Sequence, residues 1–565
     1  MAITKPNTEK TNILKSPGAG ATFLIGAILG ALVFIAFFGI KLISPTYTDW
    51  IFVNTGDVIQ HYLGWVYYRN TPWSFPICLT DGLSCDGLLS CTYTDSIPLF
   101  AIFFKLLSPV LPETFQYIGL WGVICFALNG GFGALLLRRI DTNLYFTSAG
   151  SLFYSVFAPS INRIHQHNSL GAIWLIIAAI ILTLDHKREY RHKFTPVALW
   201  SLLCAAASLI HMYFLPMLYI VMLGYIIILL FRDKKILRAF CTLASSTLFT
   251  LFVMWSTGAF EGKSSYSYGG FGVWSANLNT FYNSLGTSRI IDPLPVSDGQ
   301  YEGLGYLGIG MLLCCILGFI AFIVHVKAKE GSFFKNVFAY IRKHGVEIFA
   351  FFTIFIISFC WALSTTVVFN GKVIANIHLP FIIENKLGIF RCSGRFIWLP
   401  DILIMTAALY LISKLGRKAA AAALTVCVLL NCFDFSAWRS DLHAQYSRKA
   451  PEPNISESEW QKAAEGVNEV VFLPLPPDFL ADVQLYFDIA AHAAKDNIKL
   501  SSFILARADY GSLSAYANEQ YEQLSEGKGR EDALYIFFDD DDVPENVDNM
   551  TVFKLGDYTA ARVKK

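Results

Sequence analysis

Apolar residues in this chain fall in long blocks separated by short polar, often basic, connections. A block of about 17–25 apolar residues is long enough to cross the roughly 30 Å hydrocarbon core of a bilayer as a helix. Blocks of this kind run over residues 21–43, 115–137, 144–159, 169–184, 195–210, 212–231, 240–255, 304–326, 346–367, 396–412 and 419–432. They predict about eleven spans. Several are short, and the pair on either side of His211 has the least distinct boundaries. The first block resembles a secretory signal in position, but it is long and has no obvious cleavage site, so it reads as a retained anchor.

Two regions break the pattern. Residues 44–114 form a long stretch between the first two blocks. Within it, residues 58–68 place Val58, Ile59, Tyr62, Leu63 and Val66 on one helical face and Gln60, His61 and Tyr67 opposite. Trp65, Tyr67 and Tyr68 suit the headgroup zone of a membrane. Asp95 and Ser96 precede Ile97 and Pro98, a helix start with proline in its first turn, and the apolar run 97–107 is too short to span. Two interfacial helices are therefore expected in this loop. From Asp434 the chain becomes mixed and charged. Strands are predicted at 470–475, 499–506 and 534–538, helices at 480–494 and 513–526, and a closing hairpin around 551–553 and 558–563. That is a small α/β domain. The run Asp539–Asp542 after its last central strand reads as a solvated turn, with no ligand spacing of a cation loop.

The composition agrees with a polytopic membrane protein. Of 565 residues, 54% are hydrophobic and only 15% charged, and the net charge is +1. Soluble domains carry about 25% charged residues. The balanced charge gives no sign of a nucleic-acid partner. Lysines and arginines collect in alternate short connections, at 138–139, 187–193, 232–238, 327–343 and 414–418, with others in the amino-terminal tail. Roughly twenty lie on one side against about eight on the other, which predicts a cytoplasmic amino terminus. The expected organisation is a cytoplasmic tail at 1–20, a membrane domain at 21–433 and an extracytoplasmic α/β domain at 434–565. The loop 44–114 would face the same side as the α/β domain. Cys78, Cys85 and Cys91 share that loop, where one disulfide is expected, its pairing open.

Ionisable residues at the outer ends of membrane helices are costly and tend to be functional. Asp57, His61, Arg69, Asp95, Arg163, His165, His167, His211, Glu302, Arg391 and Arg395 all fall on the predicted outer rim. Five segments carry a resemblance. They are residues 56–76 (GDVIQHYLGWVYYRNTPWSFP), 94–109 (TDSIPLFAIFFKLLSP), 115–121 (FQYIGLW), 301–310 (YEGLGYLGIG) and 390–398 (FRCSGRFIW). Together they resemble an uncharacterised, DUF6311-like family of bacterial membrane proteins in the GT-C glycosyltransferase superfamily. They are more distantly similar to the membrane glycosyltransferases that decorate teichoic acids. The resemblance implies a GT-C-like helical fold in the bacterial plasma membrane. It also implies a polyprenyl-phosphate-linked sugar donor, transfer to a glycan or lipid acceptor outside the cytoplasm, and a catalytic acid in the first outer loop.

The residue chemistry is compatible with that reaction. A sugar leaving a lipid phosphate departs as a phosphate anion and needs no proton, so one carboxylate that deprotonates the acceptor hydroxyl suffices. Asp57 is the candidate base, and Gly56 would let the backbone turn beside it. Arg391 and Arg395, four residues apart, would share a helical face and clamp the phosphate. His61, Asp95, His165, His167, His211 and Glu302 are candidate substrate-binding residues. Each has a plain structural alternative: Asp57 or Asp95 as a helix cap, Arg395 as an interfacial anchor, Glu302 at a helix start. A divalent cation is compatible with these carboxylates and imidazoles, but the sequence singles out no cofactor or ligand set. Two other functions share the outline: a transporter or flippase of lipid-linked sugars, and a non-catalytic envelope scaffold. A transporter would place ionisable groups near the bilayer midplane and show related halves.

Overall fold

The computed structural model describes residues 18–53, 56–261, 271–327, 332–475, 483–506, 508–545 and 548–564. The tail before residue 18 with its lysines, Lys329, and the start of the expected 480–494 helix lie outside them. Eight described helices are long and apolar enough to cross a membrane, and a ninth is added if a bent pair counts as one. These are Ala19–Phe38, Ile118–Arg138, Asn168–Lys187, Phe214–Arg232, Ile236–Ser256, Ile309–Lys327, Phe333–Leu363 and Ser393–Ile412. The three other expected spans are shorter or bent. Leu144–Ser155 has 12 residues and Thr195–Ile210 has 16, while Arg417–Asp434 bends by 48° into Ser436–Tyr446. Hydropathy blurs such helices together with the apolar residues of their connections.

Length and composition fit a membrane, and so does the outer surface. Ile236–Ser256, Ile309–Lys327 and Phe333–Leu363 bury a third or less of their residues. Leu237, Phe240, Leu248, Phe319, Ile320 and Phe352 are left exposed. An apolar surface of this extent is one that water would not stabilise. The interior depends on close backbone approach. Gly26 and Gly30, one turn apart on Ala19–Phe38, face Ile118–Arg138 so tightly that an added Cβ would lie 2.4 Å from the Gly130 carbonyl oxygen and 2.0 Å from that of Phe126. Small residues one turn apart give helices in lipid their main packing contact.

At one end of the bundle the basic connections are tied together. Arg139 pairs with Asp185 at 2.7 Å, His186 meets Asp233 at 2.8 Å, and Glu347 takes Arg232 and Lys187. The other end is closed by the loop after the first helix and by the carboxy-terminal unit.

In that loop the helix Asp57–Asn70 is not an interfacial helix with one wet face. Gln60, His61, Tyr67 and Tyr68 are buried along with Val58, Ile59 and Leu63. It is held between the bundle and the carboxy-terminal unit, and the Tyr67 hydroxyl donates to the Ile498 carbonyl oxygen at 2.8 Å. The second expected helix is present as Pro98–Leu106, with Phe103 and Leu106 exposed. No disulfide joins Cys78, Cys85 and Cys91, which are thiols here. Cys78 and Cys91 nevertheless lie together, with the Cys91 amide donating to the Cys78 carbonyl at 2.8 Å and the two thiols in contact.

Ser436–Tyr446 belongs with the bundle, since Trp438 and Tyr446 pack on Phe37 and Phe38. A sheet-bearing unit follows, opened by a capping box at Ser456 and Glu459. Its five strands are ordered Lys499–Leu500, Glu469–Leu473, Ala533–Phe537, Tyr558–Val563, Met550–Leu555. The first three are parallel and the last two close an antiparallel hairpin. Glu469–Leu473 and Ala533–Phe537, the central pair, are continuous apolar runs covered by Val483–Lys495 and Tyr510–Ser525, as parallel strands require. The strand expected over 499–506 stops after two residues. Beyond it the chain leaves the sheet, and the Ala506 amide bonds to the Tyr93 carbonyl at 2.8 Å. Asp539–Asp542 is a capped turn whose Asp540 is taken by Lys554 and Thr559.

Candidate functional site

The helix Asp57–Asn70 begins at Asp57 itself, so the carboxylate occupies the first turn and does not cap it. Gly56 is extended, with φ −162°, and an added Cβ would meet nothing within 4 Å. The tight turn expected of this glycine is not needed. Asp57 Oδ2 lies 3.0 Å from Nε2 of His167, which follows the helix Ala158–Gln166.

Asp95 arrives from a different direction. It has φ 53°, and Pro98–Leu106 begins at Pro98 behind Ile97, without a side-chain cap. The Asp95 carboxylate is instead 3.5 Å from Nε2 of His211. Gly64 permits this arrangement: a Cβ there would lie 2.3 Å from Thr94 and 2.6 Å from Ser96 Oγ. Thr94–Ser96 therefore presses against the helix one turn beyond His61, and Ser96 Oγ donates to the His61 carbonyl at 2.7 Å. His61 stacks near His167, with ring centroids 5.4 Å apart. One ligand-capable atom from each of His61, Asp95 and His167 lies within 4.8 Å of the others.

These groups border a cavity of about 400 Å³ lined by Asp57, Gln60, Asp95, His167 and His211. Arg391 and Arg395 line it too, and Leu505, Ala506 and Tyr510 of the carboxy-terminal unit form part of its wall. Asp57 has a side chain 42% exposed, yet that exposure is to the cavity, and protein encloses the rest. Burial pushes its carboxyl above the usual carboxylate range, against the pull of His61 and Arg395. Burial and the neighbouring His167 push His61 down to about 3. His167 and His211 are held well below the ordinary imidazole value, first by burial and then by the Arg395 charge. At neutral pH all three rings are therefore neutral, the state in which imidazole accepts protons or binds metals.

The two arginines differ. They do not share a helical face, because Arg391 precedes the span Ser393–Ile412 while Arg395 lies in its opening 3₁₀ turn. Arg395 is buried, its Nε 2.8 Å from Glu302 Oε2, and the same oxygen lies 2.8 Å from Arg163 Nη2. Glu302 thus sits in a 3₁₀ turn between two guanidinium groups and starts no long helix. Burial alone would raise its carboxyl, but the charges of Arg163 and Arg395 outweigh it and hold it well below the usual range. The triad keeps one net positive charge under the cavity. Arg391 is half-buried, stacks 4.9 Å from the Trp274 ring, and has no ion pair among the described residues.

His165 is not among the lining residues; its Nδ1 meets the Tyr446 hydroxyl at 2.7 Å. Gln60, Tyr213 and the wall formed by Leu505, Ala506, Ala508 and Tyr510 were not expected at the site. Gln60 neighbours His61 on one helix, which was a usable signal; Leu505 and Ala506 gave none, since the sequence over 499–506 reads as strand. Asp401 was also overlooked. It is fully buried with both oxygens unpartnered among the described residues, and a carboxylate inside the apolar run 396–412 is itself a signal.

The architecture is that of a helical protein with at least eight helices long and apolar enough to cross a membrane, and with a polar, charged chamber closed by a carboxy-terminal sheet unit. The chain belongs to the family described as a domain of unknown function, DUF6311, which it matches over residues 27–436, and it matches the DUF6311 C-terminal domain over residues 459–563. No curated protein matches it.

Proposed function

We propose that this protein is a GT-C-like membrane glycosyltransferase that moves a sugar from a polyprenyl-phosphate carrier to a glycan or lipid acceptor. The reading rests above all on one observation: Asp57, Arg391 and Arg395 line a single cavity at one end of a bundle of apolar helices. In this scheme the acceptor hydroxyl gives its proton to an Asp57 oxygen and attacks the anomeric carbon. The bond from that carbon to the carrier phosphate breaks, and the phosphate leaves as an anion beside Arg391. Burial raises the basicity of Asp57, as suits a general base. Arg391 is the better phosphate ligand of the two arginines, because Arg395 already holds Glu302. A cavity of about 400 Å³ is of the size that encloses a small polar headgroup.

The basic end of the bundle would face the cytoplasm of a bacterial plasma membrane, with the chamber and the sheet unit outside. Incubating the purified protein with a panel of polyprenyl-phosphate sugars and envelope acceptors tests the reaction. Release of free polyprenyl phosphate coupled to a glycosylated product is the expected result. Carrier turnover that is absent across the panel, or identical in Asp57→Asn protein, would overturn the proposal.

A further inference from the structure

His61 is 1% exposed, and among the described residues only the Asn168 side chain pairs loosely with its ring, which leaves at least one ring nitrogen buried without a partner. A buried imidazole nitrogen left unpaired costs free energy in an apoprotein. His167 is half-satisfied in the same way: Nε2 faces Asp57 at 3.0 Å while Nδ1 is buried without a partner among the described residues. Asp95 supplies a carboxylate to the same space, and one ligand-capable atom from each of the three residues lies within 4.8 Å of the others.

From this geometry we infer that His61, His167 and Asp95 form a binding site for a divalent transition-metal ion of the zinc type, set in the wall of the cavity. Two imidazoles and one carboxylate are a donor set that suits zinc and its neighbours and leaves a fourth position open. A tetrahedral ion with bonds of about 2.0–2.2 Å separates its ligand atoms by roughly 3.3 Å. The three donors therefore close by no more than about 1.5 Å between any pair. Two further residues orient the ligands. Asp57 holds the far nitrogen of His167, which leaves Nδ1 for the metal. His211 accepts the Tyr213 amide on Nδ1, so Nε2 carries a proton that points at Asp95. A carboxylate behind a metal-binding imidazole is the usual way such rings are fixed. Two of the three ligands, Asp95 and His167, line the chamber, so the site adjoins it. The site stands independently of the transfer reaction.

The test uses the full-length protein in detergent, stripped with chelator and titrated with Zn²⁺ by calorimetry, then with Co²⁺ by visible absorption. One high-affinity equivalent is expected, with a cobalt spectrum of nitrogen and oxygen ligation and no thiolate charge-transfer band. His61→Gln, His167→Gln and the conservative Asp95→Asn should each weaken binding by at least about tenfold. His443→Gln, an exposed histidine on Ser436–Tyr446, should leave it unchanged. Melting of each stripped variant separates lost ligation from lost fold. Zinc should raise the melting temperature of the wild type but not that of a folded ligand variant. Less than one equivalent bound by the wild type, a thiolate band, or unaltered affinity in all three ligand variants would overturn the site. Any of these outcomes leaves the proposed transferase reaction to be judged by its own assay.

Discussion

His167 Nε2 lies 3.0 Å from Asp57 Oδ2 and joins the helix Asp57–Asn70 to the segment after Ala158–Gln166. The contact shows what the carboxylate does locally. It caps no helix, and it is oriented by an imidazole at the edge of a cavity. An acid at the start of an amphipathic segment usually satisfies backbone amides; here it meets His167 and lines the chamber.

Asp57→Asn therefore separates chemistry from folding. The amide keeps the size and can still meet His167, but it accepts no proton near neutral pH. Transfer is expected to fall by about 10²–10⁴-fold. The thermal midpoint of the purified variant should stay close to that of the wild type. A variant that transfers sugar at nearly the normal rate would remove Asp57 from the reaction.

The arginines should behave differently from each other. Arg391→Ala removes a half-buried guanidinium without an ion pair among the described residues, so the protein should stay folded while its apparent affinity for the phosphate-linked donor drops. Arg391→Lys keeps the charge but loses the bidentate fork, and should recover only part of the loss. Arg395→Ala should instead lower thermal stability. Equal stability in the two alanine variants would contradict the division drawn here.

Much of this was legible along the sequence, and some was not, for physical reasons. Apolar blocks are a one-dimensional signal, so the long helices and the alternation of strands and helices after residue 457 could be read directly. The 12-residue helix Leu144–Ser155 could not be told from a span, because hydropathy counts residues and not turns. The pairing of Glu302 with Arg395 crosses 93 positions, and periodicity carries no information at that distance. Asp57, Asp95, His167 and His211 come from four separated segments. Their shared side of the membrane could be inferred, but their contact could not. The chamber wall from the sheet unit was hidden because residues 501–506 have strand composition and yet leave the sheet to meet Tyr93.

Glu302→Gln should destabilise the fold strongly. It leaves Arg163 and Arg395 buried side by side with no compensating charge, a change that typically costs about 3–5 kcal/mol. The wild-type pH dependence has a definite sign. A carboxyl depressed by its partners contributes stability that is fully present above the ordinary carboxylate value and is lost progressively as pH falls from there through the depressed one. Melting measured from neutrality down to about pH 6, above the ordinary carboxylate value, should show almost none of its loss from this group. A Glu302→Gln protein as stable as the wild type would show that the triad is not needed.

Cys78 and Cys91 should form the disulfide if the loop faces an oxidising compartment. Their thiols are in contact, whereas Cys85 lies nearer Asp86 and Glu469. Peptide mapping of protein isolated from membranes under alkylating conditions should find Cys78 bridged to Cys91 and Cys85 alkylated. A bridge that includes Cys85 would contradict the packing of this loop.

Orientation decides whether the chamber meets the acceptors that the proposed reaction requires. The structure puts the basic connections and the chamber at opposite ends of the same helices. Trp174–Leu184 begins just after His167 and ends at Asp185, which pairs with Arg139. Phe214–Ile227 begins just after His211 and runs on to Arg232, which meets Glu347. In the proposed orientation the excess of lysine and arginine would retain the first end in the cytoplasm, because short basic connections resist translocation. A cysteine introduced at Asp541, on the sheet unit, should then react with a membrane-impermeant maleimide in intact cells. A cysteine replacing the exposed Arg188 should react only after the cells are opened, and the background from native thiols is subtracted with the unmodified chain. The opposite labelling pattern would turn the chamber toward the cytoplasm, where the proposed extracytoplasmic acceptors would be out of reach.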